Sequence, residues 1–462
     1  MSGWAGAFTA FLLLILLSGC ATYRKVPLNQ AAVTHALRSP NLDEVRVQAE
    51  RIQHPLLKPL EIDLRDGLAP DEAAVLAVLA NPTLVALRDR RGIAAAQVLQ
   101  AGVLPNPNFG YSLDVPSGGS TQGTVIGYGF TADWNFSPLI TRASRVAAAR
   151  SLSKAVDLDI AWQEWQVAQA AKRFVYRLDF IEQQILVVSQ EAKGLSDNYE
   201  AVKQATDLGD MTVIDLGAAE SALRRAQTTL TTLEKEQEQG RLALNGILGL
   251  PPGEKIPLQK KIPPPLPKTI LAINQLMTGI QNRRLDLLAL QAGYESQEET
   301  LRAAIQAQFP KIALGLAQLR DTGNILTSGL TVGISLPFFD RNQGIIAIER
   351  ATRKQLYDEY QARLFEARAQ IASILANIRS VKEQTAATDS AVQSLRSLVD
   401  TSRQGLLEGN VDVLSYYNTR EQLISNELDA LTLRRDQVDL GIALEIASGQ
   451  YLFAGTTPRG TP

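Results

Sequence analysis

Displaced by 200 residues, the chain aligns with itself without a gap over a long stretch, and this duplication restricts the fold more than any other feature. Phe174, Leu178, Ile181, Ile185, Val188, Ala192, Leu195, Tyr199 and Val202 step by alternating fours and threes. The same steps recur at Ile374, Ile378, Val381, Thr385, Thr388, Val392, Leu395, Val399 and Ser402. Further along, Gly209 falls on Gly409, Val213 on Val413, Leu223 on Leu423, Leu244 on Leu444 and Gly249 on Gly449. Four-three spacing is a coiled-coil seam. The stretch from Ile140 to Leu208 has no proline, so a helix of that length runs about 100 Å. Between the halves, Pro251, Pro252, Pro257 and the run Ile262 to Pro267 cannot be helix interior and read as an extended strap. Each half thus reads as helix, hairpin, long helix, long helix. Heptads alone would suit a tethering coiled coil, and the hairpins argue against it.

Asn108 to Val115 alternates strictly, with Phe109, Tyr111, Leu113 and Val115 on one face. From Val125 to Phe136 an apolar, aromatic set that includes Tyr128, Phe130, Trp134 and Phe136 opposes Gly127, Gly129, Thr131, Asp133 and Asn135. In the second half Ile312, Leu314 and Leu316 alternate with Ala313, Gly315 and Ala317. A fourth strand is expected over Leu330 to Phe338, with loops Pro116 to Gly123 and Asp321 to Gly329 closing the hairpins. Apolar on one face and small or polar on the other is the pattern of outer-membrane barrel strands, which makes Tyr128, Phe130, Trp134 and Phe136 candidate lipid-facing residues. A soluble sheet covered on its apolar face shares the pattern. Four strands cannot close a barrel, so the membrane reading requires several copies.

The N-terminus agrees on the compartment. Ala5 to Leu17 is apolar, long enough for a signal-peptide core and short for a membrane span. It ends in Leu17-Ser18-Gly19-Cys20, similar to a bacterial lipobox, so Cys20, the only cysteine, is the candidate lipidation site for acyl chains such as palmitate. Residues 2–19 hold no Lys or Arg, so either the α-amino group supplies the positive n-region or the natural start lies upstream. Ala21 and Thr22 follow, without an Asp after the cysteine, and the resemblance to Gram-negative lipoproteins then implies outer-membrane sorting. Beyond residue 20 no apolar run is long enough to span a bilayer as a helix. The organisation expected is a lipoprotein signal peptide over 1–19, an N-terminal extended segment over 20–62, repeat 1 over 63–250, a proline-rich connector over 251–268, repeat 2 over 269–452 and a tail over 453–462.

Charge and chemistry narrow the function classes. Lys plus Arg, 46, nearly balances Asp plus Glu, 48, which gives no positive field for nucleic acid. One cysteine rules out an intramolecular disulfide and CxxC sites. His35 and His54 have no companion at metal-ligand or triad spacing and read as surface or loop histidines. No catalytic residue, metal site or cofactor is expected.

Lipobox, duplication, one hairpin per half and very long helices together resemble the TolC-like outer-membrane efflux protein family, over residues 60 to 452. The phrases that carry the likeness are Leu64-Arg65-Asp66-Gly67-Leu68, Asn81-Pro82-Thr83-Leu84 and Ala101 to Pro107. After the fourth strand, Leu336-Pro337-Phe338-Phe339-Asp340-Arg341-Asn342-Gln343-Gly344 is similar to the cobalt-zinc-cadmium, CzcC-like branch. The resemblance implies a mainly α fold with a small β part, completed as a homotrimer whose strands form one barrel and whose helices form a periplasmic tunnel. It implies a passive efflux duct, with heavy-metal cations as one cargo and drugs or peptides as the alternative. The implied partners are a periplasmic adaptor, an inner-membrane pump of the resistance-nodulation-division class and outer-membrane lipid. A lipid-anchored coiled-coil scaffold is the reading from another class.

The resemblance also implies that each helix pair turns at its periplasmic tip around a Gly with an acid six residues on. Gly209-Asp210-Met211-Thr212-Val213-Ile214-Asp215 fits. Gly409-Asn410-Val411-Asp412-Val413-Leu414-Ser415 has serine where the acid is expected, and Asp412 three residues earlier. Asp210, Asp215 and Asp412 are therefore candidate gate or tip residues, and Gly209 and Gly409 mark candidate adaptor-contact turns. The plainer reading is that these acids start the returning helices, where the positive dipole end favours them.

Overall fold

A computed structural model describes residues 21–260, 262 and 271–452. Of the described residues, 21–40 belong to one unit, carrying α1 (Gln30–Ala36) with Asn29 as its N-cap, and a second, much larger unit begins at Asn41. The order of elements in the larger unit is α2 (Leu42–Ala49), α3 (Pro70–Ala80), α4 (Pro82–Gly102), β1 (Asn108–Asp114), β2 (Gly127–Asn135), α5 (Ser137–Leu208), α6 (Val213–Ile247), α7 (Ile273–Met277), a 3₁₀ turn, α8 (Leu285–Gln306), β3 (Lys311–Arg320), β4 (Leu326–Ser335), α9 (Gln343–Leu407) and α10 (Val413–Ser448). The 72 residues of α5 and 65 of α9 give rods of about 108 and 98 Å. Residues of the expected seam, Leu178, Ile181, Val188, Leu195 and Val202, are buried.

The short helices supplement the long ones by stacking end to end. α6 ends where α4 begins: Asn81 caps α4 through Thr83 N–H (2.9 Å), and its amide donates to the Ile247 carbonyl (2.9 Å). Gly249, at φ +67°, sits so close to the Ala80 carbonyl that a Cβ would come within 2.4 Å of that oxygen. Repeat 2 builds the same joint with different atoms, Gly449 (φ +67°) against the backbone of Arg284, whose guanidinium donates to the Ala447 carbonyl (3.3 Å). Only glycine combines that dihedral with that closeness.

The repeats are stitched to each other by a polar ladder between α5 and α10. Gln169 donates to Glu445 (3.1 Å), Arg173 to Asp439 (3.2 Å), Gln184 to Thr432 (3.2 Å), and Arg420 pairs with Glu191 at 2.6 Å. α3 is apolar nearly all round, with eight buried residues, and is a core helix. Among the described residues no single helix is long and apolar enough to cross a membrane; α3 and α4 pass such a test only as a pair bent by 51°. The start of the proline-rich connector lies along residues 67–68 as a parallel bridge, with Leu68 N–H donating to the Pro257 carbonyl (2.8 Å).

Of the two readings, surface or loop, His54 is a loop histidine that is not at the surface. Its side chain is 2% exposed. Nδ1 accepts from the Leu56 and Leu57 N–H groups (3.0 Å each), and Nε2 lies 3.0 Å from the Ala161 carbonyl and so carries the proton. The local sequence could not reveal this, because the partner carbonyl is 107 positions away.

Candidate functional site

The four strands form one antiparallel sheet in the order β1-β2-β3-β4. Each hairpin is local, whereas the central β2–β3 pair joins the repeats, with Tyr128 opposite Arg320, Phe130 opposite Gln318 and Trp134 opposite Leu314. Because side chains alternate, this register sorts the whole sheet into two faces. One carries Phe109, Tyr111, Phe130, Leu316, Leu330 and Val332 among others, all substantially exposed. The other is small and polar, and tightly fitted: a Cβ on Gly129 would approach Ser112 Oγ to 2.6 Å, and one on Gly110 would approach Thr131 Oγ1 to 2.6 Å. Leu319 is an apolar exception on this second face.

The candidate lipid-facing residues spread along the height of this sheet. Tyr128 sits near the hairpin end, Phe130 further in and 53% exposed, and Trp134 near the helix end. The Trp134 indole N–H donates to the Pro105 carbonyl (2.8 Å), so its polar edge is turned into the strand–helix junction rather than to a mid-depth position. Phe136 lies one residue past β2, as the N-cap of α5, its ring 4.5 Å from that of Trp134. β4 also differs from the expected Leu330 to Phe338. It runs from Leu326 to Ser335, with Thr327, Ser328 and Gly329 paired to Leu319, Gln318 and Ala317. Those polar residues read as loop because the apolar run begins only at Leu330, yet cross-strand hydrogen bonds extend the ladder through them. The resulting hairpin turn is short: Asp321 accepts from Gly323 N–H and Ile325 N–H (2.9 Å each), and Asn324 takes φ +66°.

At the opposite end of the long helices the two tips are built alike. Gly209 (φ +85°) and Gly409 (φ +75°) end α5 and α9 in the left-handed region, and the following N–H groups of Asp210 and Asn410 return to the Ala205 and Gly405 carbonyls (2.8 and 2.7 Å). Thr212 then caps α6 and pairs with Asp215, hydroxyl to carboxylate at 2.7 Å. In repeat 2 Asp412 is the cap and Ser415 the hydroxyl partner, at 2.6 Å. The missing acid is thus an exchange: hydroxyl and carboxylate have traded the N-cap and third positions of one capping pair. The Ser415 hydroxyl, and after it the Ser415 N–H, hold the Asp412 carboxyl below the usual carboxylate range. Asp210 is exposed, and neighbouring apolar side chains are too, among them Leu208, Val213, Ile214 and Leu407.

Sequence reasoning missed the residues that fasten the tips. Tyr416 and Tyr417, buried, pack with Leu195, Val202 and Ala219 of repeat 1, and Arg420 reaches Glu191 across Gly194. The signal is present as a break in the duplication, since Tyr416-Tyr417 and Arg420 fall on Leu216-Gly217 and Glu220. Among the described residues no group of three His, Cys, Asp or Glu is placed to hold a metal ion. Cys20 lies outside the described residues.

Residues 276–450 match the family model of the outer membrane efflux protein. A curated relative, the pyoverdine export outer membrane protein OpmQ of Pseudomonas putida, is 22% identical, over 58% of this chain and 58% of that protein, so the match spans little more than half the relative's length. Among solved structures, CusC superposes with a TM-score of 0.71 at 17% identity, covering 89% of this chain and 99% of that one. VceC of Vibrio cholerae gives 0.69 at 18%, covering 83% and 96%, and the CmeC outer membrane channel of Campylobacter jejuni gives 0.68 at 13%, covering 95% and 96%. At these identities the structures share a fold with this chain. The second repeat thus matches the outer membrane efflux protein model, and the long duplicated helices and four-stranded sheet share the fold of these outer-membrane channel structures.

Proposed function

We propose that the protein is the passive exit duct of a tripartite efflux system, with three copies each contributing four strands to one outer-membrane barrel and their long helices continuing it as a periplasmic tunnel. The observation that carries this reading is the sheet, apolar on one face and small or polar on the other, with both edge strands, β1 and β4, lacking an outer partner among the described residues. In lipid such edges leave backbone groups unsatisfied, and copies of the same sheet satisfy them by closing a ring. A duct of this kind needs no catalytic group; it needs a polar lumen, an apolar belt and a gate.

A lipid on Cys20 adds a second anchor, a periplasmic adaptor docks on the turns at Gly209 and Gly409, and an inner-membrane pump of the resistance-nodulation-division class supplies the energy. Heavy-metal cations are the cargo suggested by Leu336 to Gly344. With 2 His, 1 Cys and 3 Met, the duct itself has few soft ligands, which leaves selection to the pump. The likeness to a pyoverdine exporter favours an organic cargo as the second reading. Purified protein should run as a detergent-dependent, heat-modifiable trimer and give single-channel conductance in planar bilayers. A water-soluble, non-conducting protein would point to the scaffold instead. Loss of metal resistance or of organic export on deletion separates the cargoes, and mass spectrometry of the mature N-terminus tests the anchor.

A further inference from the structure

We infer that Arg320 is the centre of a binding site for a phosphate-bearing lipid headgroup, at the hairpin rim of the sheet's apolar face. This rests on the membrane reading of that face. The pairing register places every charged strand residue except Arg320 on the small, polar side: Asp114 opposite Gly127, Asp133 opposite Gly315 and Lys311 opposite Ser335. Arg320, opposite Tyr128 and Leu326, is therefore the sole charge among the strand residues of the apolar face. A cation there is costly in the middle of a membrane and tolerated at its edge, where the side chain can reach headgroups. Arg320 is the last residue of β3, at the end remote from the helices.

The guanidinium is seated but not neutralised. Its Nε donates to Asn324 Oδ1 (2.8 Å), and Nη2 donates to the same oxygen. That leaves most of its five N–H donors for another acceptor. Among the described residues Arg320 has no carboxylate partner; the adjacent Asp321 Oδ1 is turned into its own loop, accepting from Gly323 and Ile325. The seat is fixed by that turn, in which Asn324 N–H donates to the Asp321 carbonyl (3.1 Å) and Asp321 N–H to the Ile325 carbonyl (3.1 Å). Below it the Tyr128 ring lies 6.0 Å from the guanidinium centre and 5.9 Å from the Phe130 ring. A planar cation with free donors above an aromatic wall suits a phosphate oxygen pair whose acyl chains lie along the strands. The occupant is a lipid rather than a free anion because the open side of the site is the apolar face. Three copies would place three such sites around the barrel.

The test uses the full-length protein, stripped of native lipid in detergent and offered diphosphoryl lipid A, its dephosphorylated counterpart, or inorganic phosphate, with retained lipid read by native mass spectrometry. The wild type should hold the diphosphoryl lipid, and Arg320→Gln should bind it about tenfold more weakly, the loss of roughly one charge-assisted hydrogen bond. Arg320→Lys should recover part of the affinity. Asn324→Asp keeps the arginine but supplies it with a carboxylate, in a backbone conformation that Asp accepts, and should lose binding to a similar extent. Equal binding by wild type and Arg320→Gln overturns the site. So does equal retention of the dephosphorylated lipid, and so does competition by inorganic phosphate at equal affinity, which would mark a free-anion site. If the membrane reading is what fails, the wild type will be soluble without detergent. If only this inference fails, wild type and Arg320→Gln will insert equally and retain lipid equally.

Discussion

Leu316 offers the sharpest test of which face of the sheet meets lipid. It lies in the middle of β3, paired with Ala132 and Leu330 on the apolar face and 64% exposed. The hairpin rim at Arg320 is four residues away, about 13 Å along the strand and about 10 Å in depth once a 40° tilt is allowed for. That is close to the centre of an apolar band about 25 Å tall. A carboxylate at that depth costs less than a lysine or arginine, so about 2 kcal/mol per protomer is a fair estimate. If three copies share one barrel, as proposed, the cost is about 6 kcal/mol, or about four orders of magnitude in the insertion equilibrium. Ala317, one residue on, pairs with Thr131 and Gly329 on the small face, and a Cβ built on Gly329 meets nothing within 4 Å. A carboxylate there has room and would face water, with an effect within about 0.5 kcal/mol. Leu316→Asp and Ala317→Asp should be refolded into lipid vesicles, and heat-modifiable trimer quantified across a urea series. Trimer lost for Leu316→Asp and kept for Ala317→Asp is the expected result. Equal tolerance, or equal loss, would refute the assignment of faces and with it the barrel.

The joints, the buried histidine and the tips can each be tested separately. Gly249→Ala should destabilise by more than about 3 kcal/mol, because the φ of +67° and the 2.4 Å approach to the Ala80 carbonyl act together, whereas Gly209→Ala, with open space around it, should cost only about 1 kcal/mol for its φ; equal urea midpoints would show that the joint is not tight. Burial lowers the His54 pKa from 6.5, so the unfolded chain binds this proton more readily; the stability contribution is full above about pH 6.5 and declines as pH falls below it, a slope that should be reduced in His54→Gln when unfolding is followed between pH 5 and 8. At the tips, Asp412→Asn and Asp215→Asn keep a capping oxygen and remove the charge. If these acids ring the pore, both variants should lower cation selectivity and divalent block with the trimer intact. Wild-type selectivity in bilayer recordings would leave Asp412 and Asp215 as helix starts alone.

Much of the architecture is legible in the chain because its signals are local and repeated. Four-three spacing fixes one face of a helix, two-residue alternation fixes two faces of a strand, and each is written twice, 200 residues apart. The tip turns are legible for the same reason, since a left-handed Gly followed by a capping residue involves only neighbours. What the chain cannot show are the partners chosen across long separations. Trp134 alternates with the rest of its strand, and only the contact with Pro105 turns its indole edge into the junction. The first four residues of β4 read as loop because their pairing energy comes from β3 and not from their own hydropathy. The burial of the loop residue His54 is not readable locally because its carbonyl partner lies on α5, and the Glu191–Arg420 tie spans 229 positions. Side-chain direction is set by the backbone within a few residues and is therefore readable from period. Register, burial of a polar group and the pairing of charges depend on which surfaces meet, which is settled only when the two repeats pack against each other.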